Sequence, residues 1–180
     1  KAIAKATMQA SYAMAKNDGS ATNAQVFEKV FASLVGENAQ TIIDIFPQVY
    51  GDRYNVIKEI ATDNEYALEI VKQMREHAEH IVVATQPMFP LEAVRKRLSW
   101  IGLTDTQFDL VTLYDNCTFC KPSPLYYQEI MDKFSATPEE TVMIGNDTHE
   151  DILPCEKLGV STFLVTDNII NTHNYDISRF

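Results

Sequence analysis

Six residues carry most of the chemical capacity of this sequence: Thr85, Gln86, Lys121, Asn146, Asp147 and Asp151. A hydroxyl and an ammonium can hold the oxygens of a phosphoryl group. Carboxylates can hold a hard divalent cation such as Mg²⁺, which takes oxygen ligands and keeps several of its waters. Phosphoryl transfer is catalysed largely by positioning and charge neutralisation of this kind, so the set suits chemistry on a phosphorylated small molecule. What it lacks is a nucleophile.

For these residues to meet, the chain must place three separate segments at one edge of a sheet. Thr85 closes a short β-branched run that begins at Ile81, and Lys121-Pro122 follows a second apolar run, Leu110 to Tyr114. Gly145-Asn146-Asp147 follows a third, Thr141 to Ile144, and a fourth spans Val160 to Val165. Between them the apolar period becomes helical: Leu91, Val94, Leu98 and Ile101, with Pro90 near the start and Gly102 at the end, then Tyr127, Ile130, Met131 and Phe134, then about Thr148 to Leu158 before Gly159. Apolar strands alternating with helices predict βαβ units and a parallel sheet covered on both faces, a Rossmann-like α/β core over residues 77–180. In such open sheets ligands bind beyond the carboxyl ends of the strands, which is where the six residues fall.

Residues 1–76 read as helices without a convincing strand. Lys1 to Lys16 is rich in Ala and Met, good helix formers, and Asn17-Asp18-Gly19 is a stop. Thr22-x-x-Gln25 and Thr62-x-x-Glu65 have capping-box spacing. The first precedes Val26, Phe27, Val30, Phe31 and Leu34, and the second precedes Ala67, Ile70, Val71, Met74 and Ala78. Ile42, Ile43, Ile45 and Phe46 are broken at Pro47, so they make at most a short helix. The tail from Asp167 has no clear period and reads as a flap or an edge.

Composition narrows the partners. The chain has 180 residues, with 25 Asp and Glu against 15 Lys and Arg, for a net charge of −10. That acidic balance argues against nucleic acid, which demands clustered cations. No uninterrupted apolar run exceeds the four residues of Ile81 to Ala84, far short of the ~20 residues that cross a bilayer, so a membrane span is not expected. Cys117, Cys120 and Cys155 form an odd set without a signal-peptide pattern ahead of them, which fits a reducing cytoplasm. Cys117-x-x-Cys120 lacks two further zinc ligands and reads as idle thiols. His77 and His80 suit the cation-favouring end of a helix better than a metal.

Taken in order, these segments resemble the haloacid dehalogenase-like (HAD) hydrolases. That family's second motif is an apolar strand ending in Thr or Ser, as in Ile81 to Thr85; its third is a Lys, often before Pro, as in Lys121-Pro122. Its fourth is an acidic loop after a strand, followed by helix, Gly and strand, as in Met143 to Asp151 and Lys157 to Val165. The resemblance covers about residues 80–167 and implies an α/β core with an all-helical cap, here residues 1–76, inserted between the first and second motifs. It further implies a Mg²⁺-dependent phosphatase of a small phosphorylated metabolite, working through an aspartyl-phosphate. Thr85, with the Gln86 backbone N–H, would hold phosphoryl oxygens, Lys121 would neutralise charge, and Asp147 or Asn146 would face the metal, with Asp151 as a further ligand or a partner behind it. The usual fourth motif has Asp directly after Gly, whereas Asn146 stands there; Asp147 is favoured because a carboxylate binds Mg²⁺ better than an amide.

The family's nucleophile and its acid–base partner lie in a D-x-D motif on the first strand. No such motif follows an apolar strand before Thr85: Asp44 has no second Asp two positions on, and Asp52 and Asp63 sit among polar residues. The expectation is that the first strand lies upstream of Lys1, and that without it the sheet is unstable because neighbouring strands expose unpaired edges. Two rivals stand beside this. One is a catalytically inactive HAD-like binding or scaffold protein. The other is a receiver-type signalling domain, which would need a phospho-acceptor strand and acidic pair before Thr85.

Overall fold

The computed structural model describes residues 1–60 and 66–178. The Ala-rich start forms α1 (Ala2–Ala15), whose Ala6, Ala10 and Met14 lie four apart and are buried. They pack on α2 (Asn23–Val35), where Phe27 stacks on Phe31 at 5.5 Å between ring centroids. The capping box forms as expected: Thr22 Oγ1 accepts from Gln25 N–H, and Thr22 N–H donates to Gln25 Oε1. Pro47 ends the next apolar group as a short α3 (Ala39–Ile43) and settles in the first turn of α4 (Phe46–Gln48), where its missing N–H costs nothing. Two irregular turns follow to Ile60, and α5 (Ala67–His77) resumes the helical stretch. The Thr62-x-x-Glu65 capping box lies outside the described residues.

The second part alternates as expected, but with shorter strands. β1 (Val82–Val83) pairs in parallel with β2 (Leu110–Val111), with α6 (Leu91–Trp100) between them. The expected strand to Thr85 stops early because Thr112 takes over the ladder with its side chain. Thr85 N–H donates to Thr112 Oγ1 at 2.9 Å where a backbone carbonyl would serve in a regular sheet. After α7 (Pro124–Phe134), β3 (Val142–Gly145) pairs in parallel with β4 (Ser161–Leu164). The strands thus form two parallel pairs, and β1, which stops two residues before Thr85, and β3, which ends at Gly145, belong to different pairs.

The expectation of a sheet covered on both faces holds for one face of the second pair. Met143 packs against the cluster of Tyr126, Tyr127, Met131 and Val160, while Val142 and Phe163 on the opposite face are 63% and 67% exposed. No described element covers them.

The helix expected from Thr148 to Leu158 opens instead as a wide turn, Thr148–Ile152, with i to i+5 bonding, before α8 (Leu153–Lys157). Pro154 explains this. It cannot donate to the carbonyl four residues back, and its ring crowds that group. The freed Glu150 carbonyl accepts from the Tyr127 hydroxyl at 2.5 Å. Removing that hydroxyl in Tyr127→Phe should destabilise the fold by about 1–3 kcal/mol, the usual cost of orphaning a buried acceptor; a denaturation midpoint equal to wild type would count against this role.

The unassigned tail proves to be an edge. Ile170 forms a parallel bridge with Asp147: its N–H donates to Asn146 O at 2.8 Å and its carbonyl accepts from Thr148 N–H at 3.0 Å. Asn171 Oδ1 then accepts from Thr148 Oγ1 and from Tyr175 N–H. Among the described residues, no helix is long and apolar enough to cross a membrane.

Candidate active site

The site is built outward from a buried ion pair. Lys121 Nζ lies 2.6 Å from Asp151 Oδ1, with side chains only 6% and 9% exposed. The other carboxylate oxygen, Asp151 Oδ2, accepts from Asn146 N–H at 3.2 Å and Asp147 N–H at 3.1 Å. Lys121 also stands 5.8 and 5.9 Å from the ring centres of Tyr126 and Tyr127, where aromatic faces favour a cation. The Lys121–Pro122 peptide bond is cis. Asp151 fits here because residue 145 has no side chain: a Cβ on Gly145 would stand 2.4 Å from Asp151 Oδ2.

Asp147 caps the wide turn, its Oδ1 accepting from His149 N–H at 2.8 Å and Glu150 N–H at 2.9 Å. Its Oδ2 has no protein partner among the described residues. The Asn146 side chain turns away to donate to Asn168 O at 2.6 Å. Thr85 presents its hydroxyl to two carbonyls, Thr112 O at 3.1 Å and Gln86 O at 3.3 Å. The Thr85 carbonyl in turn accepts from Tyr126 OH at 2.7 Å.

Of the six sequence candidates, the structure joins Lys121 to Asp151, and Asp151 to the backbone of Asn146 and Asp147. Gln86 belongs to the same network through its side chain, which reaches Lys121 and Glu150. Among the described residues, Thr85 makes no hydrogen bond to the side chains of the others. Glu150 is the residue that the sequence reading passed over. It sits in an acidic run, the one signal available, and burial followed by the nearby Asp147 charge pushes its carboxyl above the usual range. Asn23 was also missed. It is fully buried at the start of α2, and its Nδ2 donates to Pro87 O at 3.1 Å and Phe119 O at 3.3 Å, fastening the helical part to the loops that carry Gln86 and Lys121.

Oxygen donors of this kind suit a hard cation, but among the described residues no three His, Cys, Asp or Glu side chains form a ready metal-binding group. Mg²⁺ is commonly held by only one or two carboxylates, its waters and substrate phosphate. Asp147, with a carboxylate oxygen to spare, fits that demand. Asp151 is already spoken for on both oxygens.

The three thiols do not join the chemistry. Cys117, Cys120 and Cys155 are buried, and desolvation pushes each up to about 12 from an ordinary 9.0. Native protein at pH 8 should therefore resist iodoacetamide and take up three labels once unfolded. Because the folded thiols hold protons more tightly than unfolded ones, their stabilising contribution is whole below about pH 9 and is lost as pH rises toward about 12. The melting temperature should fall over that window; rapid native labelling would contradict the burial.

Parallel strand pairs alternating with helices, with polar groups gathered beyond the strand ends, define an α/β protein. Comparison with known proteins makes this specific: the haloacid dehalogenase-like hydrolase family matches residues 9–165, and the chain belongs to it. Among curated relatives, the pyrophosphatase PpaX of Oceanobacillus iheyensis is 27% identical over 68% of this chain and 64% of its own length. The PpaX of Bacillus mycoides is 28% identical over 78% and 60%. The chain thus spans about three fifths of the length of these relatives. Two crystal structures share the fold at 16% identity and cover 92% of this chain: a dehalogenase (TM-score 0.53, 70% of that chain) and a predicted phosphoglycolate phosphatase from Haemophilus somnus (TM-score 0.52, 76%).

Proposed function

We propose that this chain forms the helical cap, residues 1–76, and most of the α/β core, residues 77–180, of a Mg²⁺-dependent phosphatase. Its substrate is a small phosphorylated metabolite, cleaved through an aspartyl-phosphate. The observation that carries this is the buried Lys121–Asp151 pair beside the capped Asp147 loop. It keeps a cation at the strand ends while leaving one carboxylate oxygen of Asp147 for a metal.

Lys121 neutralises the phosphoryl group, and Thr85 turns its hydroxyl from the Thr112 and Gln86 carbonyls to a phosphoryl oxygen, next to the Gln86 backbone N–H. Asp147, with Asn146 or Asp151 in support, holds Mg²⁺, which supplies charge neutralisation when bound. The nucleophilic carboxylate comes from a D-x-D strand seated between β1 and β3; that β1 and β3 lie in separate pairs supports this. The carboxylate would bond to phosphorus as the P–O ester bond breaks and the motif's second Asp gives its proton to the leaving oxygen; that Asp, now a base, would take a proton from the water that hydrolyses the acyl phosphate.

The test is phosphate release by the product of the intact gene from a panel of phosphomonoesters and from pyrophosphate, with and without Mg²⁺. Mg²⁺-dependent release from monoesters, lost in Asp147→Ala, supports the proposal. Preference for pyrophosphate overturns the monoester class. No release from any of them favours the rival already raised, a HAD-like shell that binds without turning over.

A further inference from the structure

Lys121 is buried, yet its own peptide N–H and C=O find no backbone partner among the described residues. One side chain meets both. Gln86 Oε1 accepts from Lys121 N–H at 3.1 Å, and Gln86 Nε2 donates to Lys121 O at 3.2 Å. The same NH₂ group lies 3.4 and 3.5 Å from the two carboxylate oxygens of Glu150. A glutamine amide offers one acceptor oxygen and two N–H donors, and here all three functions are used.

Buried backbone groups need partners, so the placement of the Lys121 peptide depends on this one amide. Its anchor is fixed: Thr85, the preceding residue, is held by Tyr126 OH on its carbonyl at 2.7 Å and by Thr112 Oγ1 on its N–H at 2.9 Å. The amide thereby ties the loop after β1, the turn before α7 and the acidic loop after β3 at a single point. No other common side chain does this. Asn is one methylene short, Glu keeps the acceptor but has no donors and sets a second carboxylate against Glu150, and Met has the length without the polar groups.

We propose that Gln86 is a positioning residue, its side-chain amide setting where Lys121 sits against Asp151 and keeping the Glu150 carboxylate beside it. The catalytic consequence rests on Lys121 serving a phosphoryl group as above; the positioning itself does not.

NMR tests the two separately. In wild-type protein with ¹⁵N-labelled Lys and Gln, the Lys121 ammonium, assigned by its loss in Lys121→Arg, should give a signal protected from water exchange. The Gln86 NH₂ protons should exchange slowly and show NOEs to the Lys121 main chain. Gln86→Met and Gln86→Glu should erase the Lys121 protection while the fold still melts cooperatively. In active holoenzyme they should lower kcat by up to about 10²-fold with KM little changed, as expected when a group is displaced by about an ångström.

A Lys121 signal untouched in both variants overturns the proposal, even if the melting temperature drops, since that is all a merely structural role would do. If both variants fail to fold, the wild-type NOEs decide: fast-exchanging Gln86 protons without contacts to Lys121 overturn it. Inactivity on every phosphate substrate with the NMR pattern intact would sink the phosphatase reading and leave the positioning role standing.

Discussion

Lys121→Met should cost this fold about 3–5 kcal/mol, the usual penalty when one partner of a buried ion pair is removed and the other stays charged in the interior. Asp151 would then keep its two backbone N–H donors but lose its counter-charge at 2.6 Å. Water cannot easily make up the loss, because the carboxylate is 9% exposed. Asp151→Asn should be damaging from the other side, stranding the ammonium between the Tyr126 and Tyr127 rings. The double variant Lys121→Met/Asp151→Leu separates stability from function. Replacing a buried pair by apolar residues of similar volume is often neutral, so it should regain most of the lost stability while binding no phosphate. The measurement is urea denaturation at constant m-value, with inorganic phosphate binding by calorimetry. A single-variant loss under about 1 kcal/mol would mean that the pair is solvated, since exposed pairs contribute only that much.

This pair also shows what the sequence disclosed and what it hid. Lys121, Asp147 and Asp151 were legible because each follows a recognisable apolar strand, and topology alone brings strand ends together. Helix boundaries were legible where a cap marks them, as at Thr22. The strand lengths were not, because the β1–β2 ladder passes from backbone to side chain at Thr112, and one hydroxyl at a strand end leaves no mark in a hydrophobic pattern. The wide turn at Thr148 was in principle readable from Pro154, whose missing donor must spoil a regular helix six residues after Thr148; the partner that rescues the Glu150 carbonyl, Tyr127, was not. Gln86 was singled out for its backbone, while its side chain makes the contacts that link three loops. Such pairings over 35 and 64 positions are set by tertiary structure, and periodicity carries no information about them. The tail was opaque for the same reason: its hold on the acidic loop runs through Ile170 backbone and Asn171 amide, groups common to any polar segment.

Gly145→Ala should abolish the site's geometry with the smallest possible change, one methyl group. Gly145 ends β3, and a Cβ there would stand 2.4 Å from Asp151 Oδ2, 2.6 Å from its Cβ and 2.7 Å from its Cγ, closer than side-chain atoms approach one another. A flexible side chain would swing aside cheaply, but Asp151 is pinned. Lys121 holds one oxygen, and the N–H groups of Asn146 and Asp147 hold the other. Either β3 retreats, which costs its pairing with Leu164, or Asp151 leaves, which strands Lys121 as Asp151→Asn would. Overpacking alone typically costs about 1–3 kcal/mol, and loss of the charge-assisted bonds adds to it. Gly51→Ala is the matching control, since a Cβ there meets nothing within 4 Å, and it should be close to neutral. The expected result is a lowered denaturation midpoint and loss of the protected Lys121 ammonium signal in Gly145→Ala, with both retained in Gly51→Ala. If Gly145→Ala melts like wild type and keeps that signal, then Asp151 does not occupy the space above β3, and the carboxylate that Lys121 faces must be sought in Asp147 or Glu150.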